Sequence, residues 1–411
     1  MWRDIMSDTR LSRRGFLAAS GLAAGAGLIL NRSAFGANDR ISIGLIGTGD
    51  RCASHIVELG KLRESNNVEI TGLCDVWKPN REKSAAGVEK RFGKKPFQTS
   101  RFAELLARDD VQAVIIATPD FAHTPIMIEA LKAGKDVYVE KPMSLTVEEA
   151  SEALDLARKN ERVVQVGTQR RSEGCWKAAK KLLATGALGT VSRVSAANFF
   201  NHPRWARDFS NCKEEDVDWA AYLFNRPMVP FDPKLLRRWH LYRMCTNGIS
   251  GLWMTHLIDA CHNVMSASYP NSAVAHGGIY VWKDGREHTD TFHALVDYPE
   301  GFLFDWAMGL ANASGTHYTI HGVYGTIDME KKTYSGAGGE EGKEIAAGVL
   351  EAIPDENHMA NWLDCIRSRQ RPTADIEFGH QHSVATIMAA AALESGQRMR
   401  YDREQRRIFP G

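Results

Sequence analysis

The sequence predicts an α/β chain in two parts. The first is an N-terminal doubly wound parallel sheet; the second is a C-terminal α+β domain with a large, mostly antiparallel open sheet. Three observations carry this expectation. Between residues 40 and 166, short apolar runs rich in β-branched residues alternate with helical patterns, the rhythm of βαβ units. A glycine-rich turn, Gly44-Leu45-Ile46-Gly47-Thr48-Gly49, separates the first such run from the first helical pattern. From about residue 190 the texture changes to longer strands with few helices between them.

Taken in order, the buried parallel strands are expected at 41–46, 68–74, 111–117, 137–139 and 163–166. Helical stretches at 79–91, 124–133 and 147–159 connect them. In the second part, strands are expected at 191–199, 273–282, 291–298, 302–307, 318–321 and 326–329. Tyr298-Pro299-Glu300-Gly301 makes a hairpin turn between two of them. Helices at 176–183, 251–265 and 379–397 are expected to cover one face of that sheet, and 336–342 reads as a loop.

The 411 residues suffice for two cores, and 44% hydrophobic with 25% charged residues are ordinary globular values. A formal net charge of +1, with no basic stripe, leaves no electrostatic case for nucleic acid. The seven cysteines are irregularly spaced, contain no CxxC and read as packing residues.

The N-terminus carries Ser12-Arg13-Arg14-Gly15-Phe16-Leu17 ahead of an apolar run from Phe16 to Leu30. That run is shorter than the ~20 residues a spanning helix needs. Residues 1–36 are therefore expected to be a twin-arginine signal for export to the periplasm. Ala34-Phe35-Gly36 supplies small residues for cleavage, and an uncleaved anchor is the alternative. Residues 37–166 then form the first domain and 167–411 the second.

The glycine turn has the chemistry of a dinucleotide site. Gly47 permits the tight turn, and Gly49 lets backbone approach a pyrophosphate at the positive end of the helix that begins with Asp50 and Arg51. Thr48 lies between them, and Cys52 stands where a third glycine is usual. Asp75 closes the second strand, where a carboxylate accepts from ribose hydroxyls and repels a 2′-phosphate, favouring NAD. Lys78 and Arg81 nearby leave NADP open.

Glu140-Lys141-Pro142 follows the strand at 136–139, so Lys141 stands in the crevice at a parallel strand's carboxyl end. There it can assist loss of a hydroxyl proton during hydride transfer. Thr118-Pro119-Asp120-Phe121-Ala122-His123 and Gly134-Lys135-Asp136-Val137 precede it at the spacing of one βα unit. Leu188-Gly189-Thr190-Val191 and the stretch from His358 to Asp375, with Asn361, Asp364, Arg367 and Pro372, extend the pattern.

Together these motifs resemble the Gfo/Idh/MocA oxidoreductases, named for glucose–fructose oxidoreductase and inositol dehydrogenase. The resemblance implies an NAD(P)-binding Rossmann domain followed by a domain that receives a sugar or cyclitol. It implies that Thr118, Pro119, His123, Glu140 and Lys141 line the cofactor side, with Lys141 and His256 as the catalytic pair. Many members carry an aspartate four residues before that histidine; here the position is Leu252. Asp259, at i+3 from His256, is expected to orient the histidine or bind a substrate hydroxyl.

On the substrate side, Gln169 and Arg170 lie after the last parallel strand, at the domain junction. Trp205, Arg238 and Tyr242 come from segments that mix aromatics with polar groups, a composition suited to carbohydrate. No metal is expected: His262 lies about 120° from His256 around a helix.

Three functions compete: a sugar oxidoreductase, a glycoside hydrolase that oxidises its substrate transiently, and a nucleotide-binding sensor. Export discriminates among them, because a dehydrogenase dependent on a diffusible cofactor would stall outside the cytoplasm. It favours a cofactor held tightly and recycled internally. The expected partners are a small carbohydrate, the twin-arginine export machinery and further copies of the chain.

Overall fold

The computed structural model describes residues 39–337 and 342–411. The expected signal segment, and part of the 336–342 loop, lie outside the described residues.

The first domain holds six parallel strands: β1 (Ile41–Ile46), β2 (Val68–Cys74), β3 (Phe97–Thr99), β4 (Ala113–Ile116), β5 (Asp136–Val139) and β6 (Val164–Val166). Helices α1 (Asp50–Leu62), α2 (Lys78–Phe92), α3 (Phe102–Leu106), α4 (His123–Lys132) and α5 (Val147–Lys159) connect them. The sheet order is β3-β2-β1-β4-β5-β6, so the order reverses between β1 and β4 and opens a crevice at the carboxyl ends of the strands. Alternate side chains serve opposite faces. Ile115 joins a core with Ile43, Leu45 and Ile56, whereas Ile116 joins one with Met127, Leu131 and Leu154. Each such residue, fully buried, contributes roughly 1.5–3 kcal/mol.

The second domain begins with α6 (Gly174–Ala184) and β7 (Val191–Asn201). A long irregular segment follows, holding α7 (Trp219–Leu223) and α8 (Pro233–Arg237). Then come a π-helical turn (Ser250–Met254) and α9 (Thr255–Met265). The remaining strands are β8 (Ser272–Gly278), β9 (Thr291–Tyr298), β10 (Phe302–Gly309), β11 (Ala311–Gly322), β12 (Gly325–Asp328), β13 (Thr333–Ser335) and β14 (Gly348–Val349). Two helices, α10 (His358–Ser368) and α11 (Ile376–Ser395), precede β15 (Met399–Asp402) and β16 (Arg407–Pro410).

Among the described residues the ten strands from β7 to β16 form one sheet, antiparallel except where β10 pairs β7. In β9, Phe292, Ala294, Val296 and Tyr298 are buried beneath α6, α9 and α11, while His293, Leu295 and Asp297 face outward. One covered face and one open face is the outcome expected of alternation in an antiparallel sheet.

The chain crosses back at its end. Met359, Trp362 and Leu363 of α10 complete the core formed by β1 and α1, and Trp362 is fully buried there. Arg369 pairs with Asp136 at the start of β5, at 2.6 Å. The first domain's outer layer is thus closed by residues nearly 200 positions beyond its last strand.

Candidate functional site

The crevice is a cavity of about 470 Å³, with the first domain on one side and the second on the other. Gly47 makes its floor possible. Its φ of +79° is a glycine conformation, and an added Cβ would stand 2.7 Å from the Thr118 amide nitrogen. A Cβ on Gly49 would meet only Asn80 Nδ2, at 3.9 Å, so that backbone opens onto free space. The cavity walls also include Asp50, Arg51, Asp75, Thr118, Pro119, His123, Glu140 and Lys141 from the expected set.

Several of these residues brace the loops as well as line the cavity. The Thr48 amide and hydroxyl donate to Asp75 Oδ2 at 2.7 and 2.9 Å, and the Trp77 amide donates to Oδ1. Asp75 therefore ties the glycine turn to the end of β2, and burial raises its carboxyl above the usual range despite those bonds. Thr48 serves this brace and does not line the cavity. Arg81 donates to the Asp75 carbonyl and Lys78 lies 4.0 Å from Glu82, so both cations near Asp75 have partners. The ring nitrogens of His123 lie 2.8 and 2.9 Å from the carbonyls of Pro142 and Thr118, joining two loops.

Glu140 Oε1 accepts from Arg51 at 2.6 Å and lies 2.8 Å from His55 Nε2. Burial alone would raise its carboxyl; His55 and Arg51 outweigh that and hold it well below the usual range. A permanent anion thus stands beside Lys141.

Lys141 Nζ donates to the Leu252 carbonyl at 2.9 Å, inside the π-helical turn. That backbone oxygen occupies the position whose side chain is an aspartate in many members of the family the sequence resembles. Burial pulls the lysine's pKa down, while the charges of Asp120 and Glu140 push it back up. His256 opens on the same cavity; burial, then the charges of Lys141 and Arg170, push it well below the ordinary histidine value. Its imidazole is neutral at pH 7 and available as a proton acceptor.

Gln169 and Trp205 also reach the cavity. Trp205 stacks on His240 at 5.4 Å and 9°, and His240 stacks on Trp239 at 3.6 Å and 17°, forming a three-ring ladder along one wall. Such a ladder offers an apolar face to a sugar's C–H surface.

Four expected substrate residues lie elsewhere. Asp259 is fully buried, held by Arg171 at 2.8 Å and His382 at 3.1 Å, and neither orients His256 nor faces the cavity. Arg238 donates to the Arg207 carbonyl and covers the Phe209 ring. Arg170 lies over Trp176 at 5.3 Å, and Tyr242 packs against the first domain's core. Arg171, not Arg170, is the turn's inward cation, but it is spent on Asp259.

Sequence reasoning missed Asp120. It lines the cavity, is 2% exposed and accepts a hydrogen bond from Thr246 at 2.7 Å. Burial raises its carboxyl to about 7, against the opposing pull of Lys141 and Thr246. It lay inside a quoted motif, but its signal depends on a threonine 126 positions away. His240, Arg207 and Arg237 also line the cavity; His240 and Arg237 belong to the same segment as Arg238 and Tyr242. Among the described residues no group of three metal-ligating side chains is present.

Residues 41–168 match the Gfo/Idh/MocA family model, described as an oxidoreductase family with an NAD-binding Rossmann fold. The first domain is therefore an NAD-binding Rossmann domain, with NAD(H) as its cofactor. A glycosyl hydrolase family 109 protein of Shewanella baltica is 32% identical over 178 residues, which span 37% of this chain and 38% of that protein. The chain thus matches well under half the length of that relative. The uncharacterized oxidoreductase YdgJ of Escherichia coli is 28% identical over 266 residues, covering 62% of this chain and 66% of YdgJ.

Among solved structures, levoglucosan dehydrogenase in complex with NADH superposes with a TM-score of 0.66 at 17% identity. The match covers 87% of this chain and 98% of that one. Aldose-aldose oxidoreductase from Caulobacter crescentus gives 0.66 at 18% identity, over 88% and 99%. At such identities the likeness is one of fold, and it extends across both domains.

The residues present fit a dinucleotide. The open backbone at Gly49 lies at the start of α1, which has no side-chain cap to occupy it. Thr118 Oγ1, in the cavity wall, is buried without a partner. Both leave donors or acceptors free for a ligand.

Proposed function

We propose that the chain is an NAD-dependent oxidoreductase of the Gfo/Idh/MocA kind, acting on a hydroxyl of a sugar, sugar derivative or cyclitol. In this reading its cofactor stays bound and is restored in every cycle. The observation that carries it is the convergence of Lys141, His256 and the glycine turn on one cavity that the Trp205–His240–Trp239 ladder also lines.

The bound nicotinamide would accept and return hydride. The chain's own residues manage the rest. Lys141 turns an N–H from the Leu252 carbonyl toward the reacting oxygen, and His256, neutral, takes the hydroxyl proton. Glu140 and ionised Asp120 supply negative charge that pushes the buried lysine's pKa back up against the effect of burial. With leucine at position 252, Asp120 takes the carboxylate's part from the opposite domain. Asp75 favours NAD, because its fixed carboxylate repels a 2′-phosphate while Lys78 and Arg81 have partners of their own.

A second reading, a redox-neutral glycoside hydrolase, draws on the likeness to family 109 glycosyl hydrolases. It uses the same residues, with transient oxidation followed by elimination, water addition and return of the hydride. Export by the twin-arginine signal, a periplasmic location and assembly of several copies through the open sheet face belong to the same proposal.

The test is to extract nucleotide from the purified protein and assay p-nitrophenyl glycosides beside free sugars. Sugar oxidation coupled to another sugar's reduction supports the oxidoreductase. Glycoside cleavage without net NADH supports the hydrolase. Protein that binds no nucleotide overturns both. Lys141→Ala is expected to abolish turnover while retaining nucleotide.

A further inference from the structure

The dinucleotide groove is not bounded by the first domain alone. We infer that residues 212–238 of the second domain form a strap that closes the adenosine end of this groove and holds the nucleotide through turnover. The inference rests on the dinucleotide reading above and names the segment responsible for retention.

The strap is joined to the first domain by backbone as well as side chains. Val217 pairs with Trp77 in an antiparallel bridge just beyond β2, and the Asp218 amide donates to the Val76 carbonyl at 2.9 Å. Ser100, after β3, donates to Asp218 Oδ2 at 2.9 Å, while Asp218 Oδ1 caps α7 through the Ala221 amide. These anchors lie at the carboxyl ends of β2 and β3, beside Asp75, where the adenosine half of a dinucleotide sits in this strand order.

From there the strap enters the first domain's own core. Tyr222, Leu223, Leu235 and Leu236 are each less than 9% exposed and pack in one cluster with Ile116, Phe121 and Met127. Tyr222 meets Phe121 edge-on at 5.8 Å, stacks on Trp219 and donates to the Leu235 carbonyl, which fixes the return of the loop. Arg237 lies over the Trp77 ring at 4.9 Å.

Between these anchors runs the cavity, with Ser100, Phe102 and Trp77 on its first-domain side and Ala221, Tyr222 and Phe224 on the strap. Phe224 is the least secured part of the closure. It is 38% exposed, meets Phe102 edge-on at 5.2 Å and holds a φ of +49°, a strained value for a residue with a side chain. Opening at the Phe102–Phe224 contact therefore requires no core residue to move. On this side of the groove, nucleotide that leaves has to pass that contact or unseat the buried strap.

The experiment follows exchange of bound nucleotide for added radiolabelled NAD in the purified full chain, with the nucleotide content measured after denaturing extraction. Wild type is expected to carry close to one nucleotide per chain and to exchange it more slowly than it turns over substrate. Phe224→Ala, and separately Ser100→Ala, are expected to exchange about three- to tenfold faster, the scale of one edge-to-face pair or one hydrogen bond. Circular dichroism confirms that both remain folded. A loaded wild type whose exchange rate neither variant alters overturns the strap while leaving nucleotide binding intact. Wild type that exchanges as fast as it turns over overturns retention itself. Protein that binds no labelled NAD overturns the dinucleotide reading on which both depend.

Discussion

Replacing Asp120 by Asn is expected to raise stability while lowering activity, and the stability gain depends on pH with a defined sign. In the folded protein, burial raises the Asp120 carboxyl from its ordinary 3.8 to about 7, while Lys141 and Thr246 pull the other way. Between roughly pH 4 and 7 the folded protein therefore keeps a proton that the unfolded chain releases. Folding stability contributed by this group is fully present below the unfolded value and is lost as pH rises through 7. The shift of about three units, at 1.36 kcal/mol each, sets a ceiling of about 4 kcal/mol. Asn matches the protonated carboxyl in shape and still accepts from Thr246, so the variant escapes that loss.

Thermal melts of the two proteins at pH 4 and pH 8 provide the assay. The melting temperatures are expected to agree at pH 4 and to separate by roughly 5 °C at pH 8, with the variant higher. The same substitution removes a charge that supports the Lys141 ammonium. The limb of the wild-type pH–rate profile near 7 is expected to vanish, and the alkaline limb to move to lower pH. A pH-independent difference in melting temperature, or a variant less stable at pH 8, would refute the assignment.

Removing Asp259 tests the opposite case. Asp259→Ala leaves Arg171 buried without its partner and is expected to cost about 3–5 kcal/mol in denaturant unfolding, while kcat per folded molecule stays unchanged. Trp205→Ala shortens the ring ladder beside His240 and is expected to raise KM about tenfold with little change in kcat, as steady-state kinetics would show. His256→Asn removes the proton acceptor and is expected to lower kcat by about 10²–10⁴ with nucleotide still bound, measured by turnover and extraction.

The parallel sheet was readable because its signals are local. β1, β2 and α5, and β9 in the second sheet, begin and end where apolar runs, caps and turns in the sequence place them, whereas β3, only three residues long, was not expected. The glycine turn was equally plain, since Gly47 is required by its own backbone. The second sheet was less complete. The edge strands β13 to β16 are two to four residues long, and the first half of β11 is polar and exposed, so neither carries alternation to read.

The misplaced site residues share a different cause. Helical spacing put Asp259 near His256, but Arg171 and His382, 88 and 123 positions away in sequence, decide where its carboxylate is spent. In the segment from Arg237 to Tyr242, a 3₁₀ turn at Trp239–Leu241 presents His240 to the cavity, and no periodicity signals that orientation. Asp120 carried no assigned role within its motif because Thr246 and Lys141, which give it its character, come from other elements. The strap, an irregular segment, has no repeating pattern that links it to β2 and β3.

The late return of α10 to the first domain bears on the order in which this protein can be made. Trp362, Met359 and Leu363 fill the outer core of a sheet whose strands all leave the ribosome much earlier. A nascent chain stopped short of residue 358 lacks Met359, Trp362 and Leu363, so the core on the outer face of β1 and α1 is left incomplete. A fragment cut after residue 166 is expected to expose that face, and one that also carries residues 358–369 to cover it again.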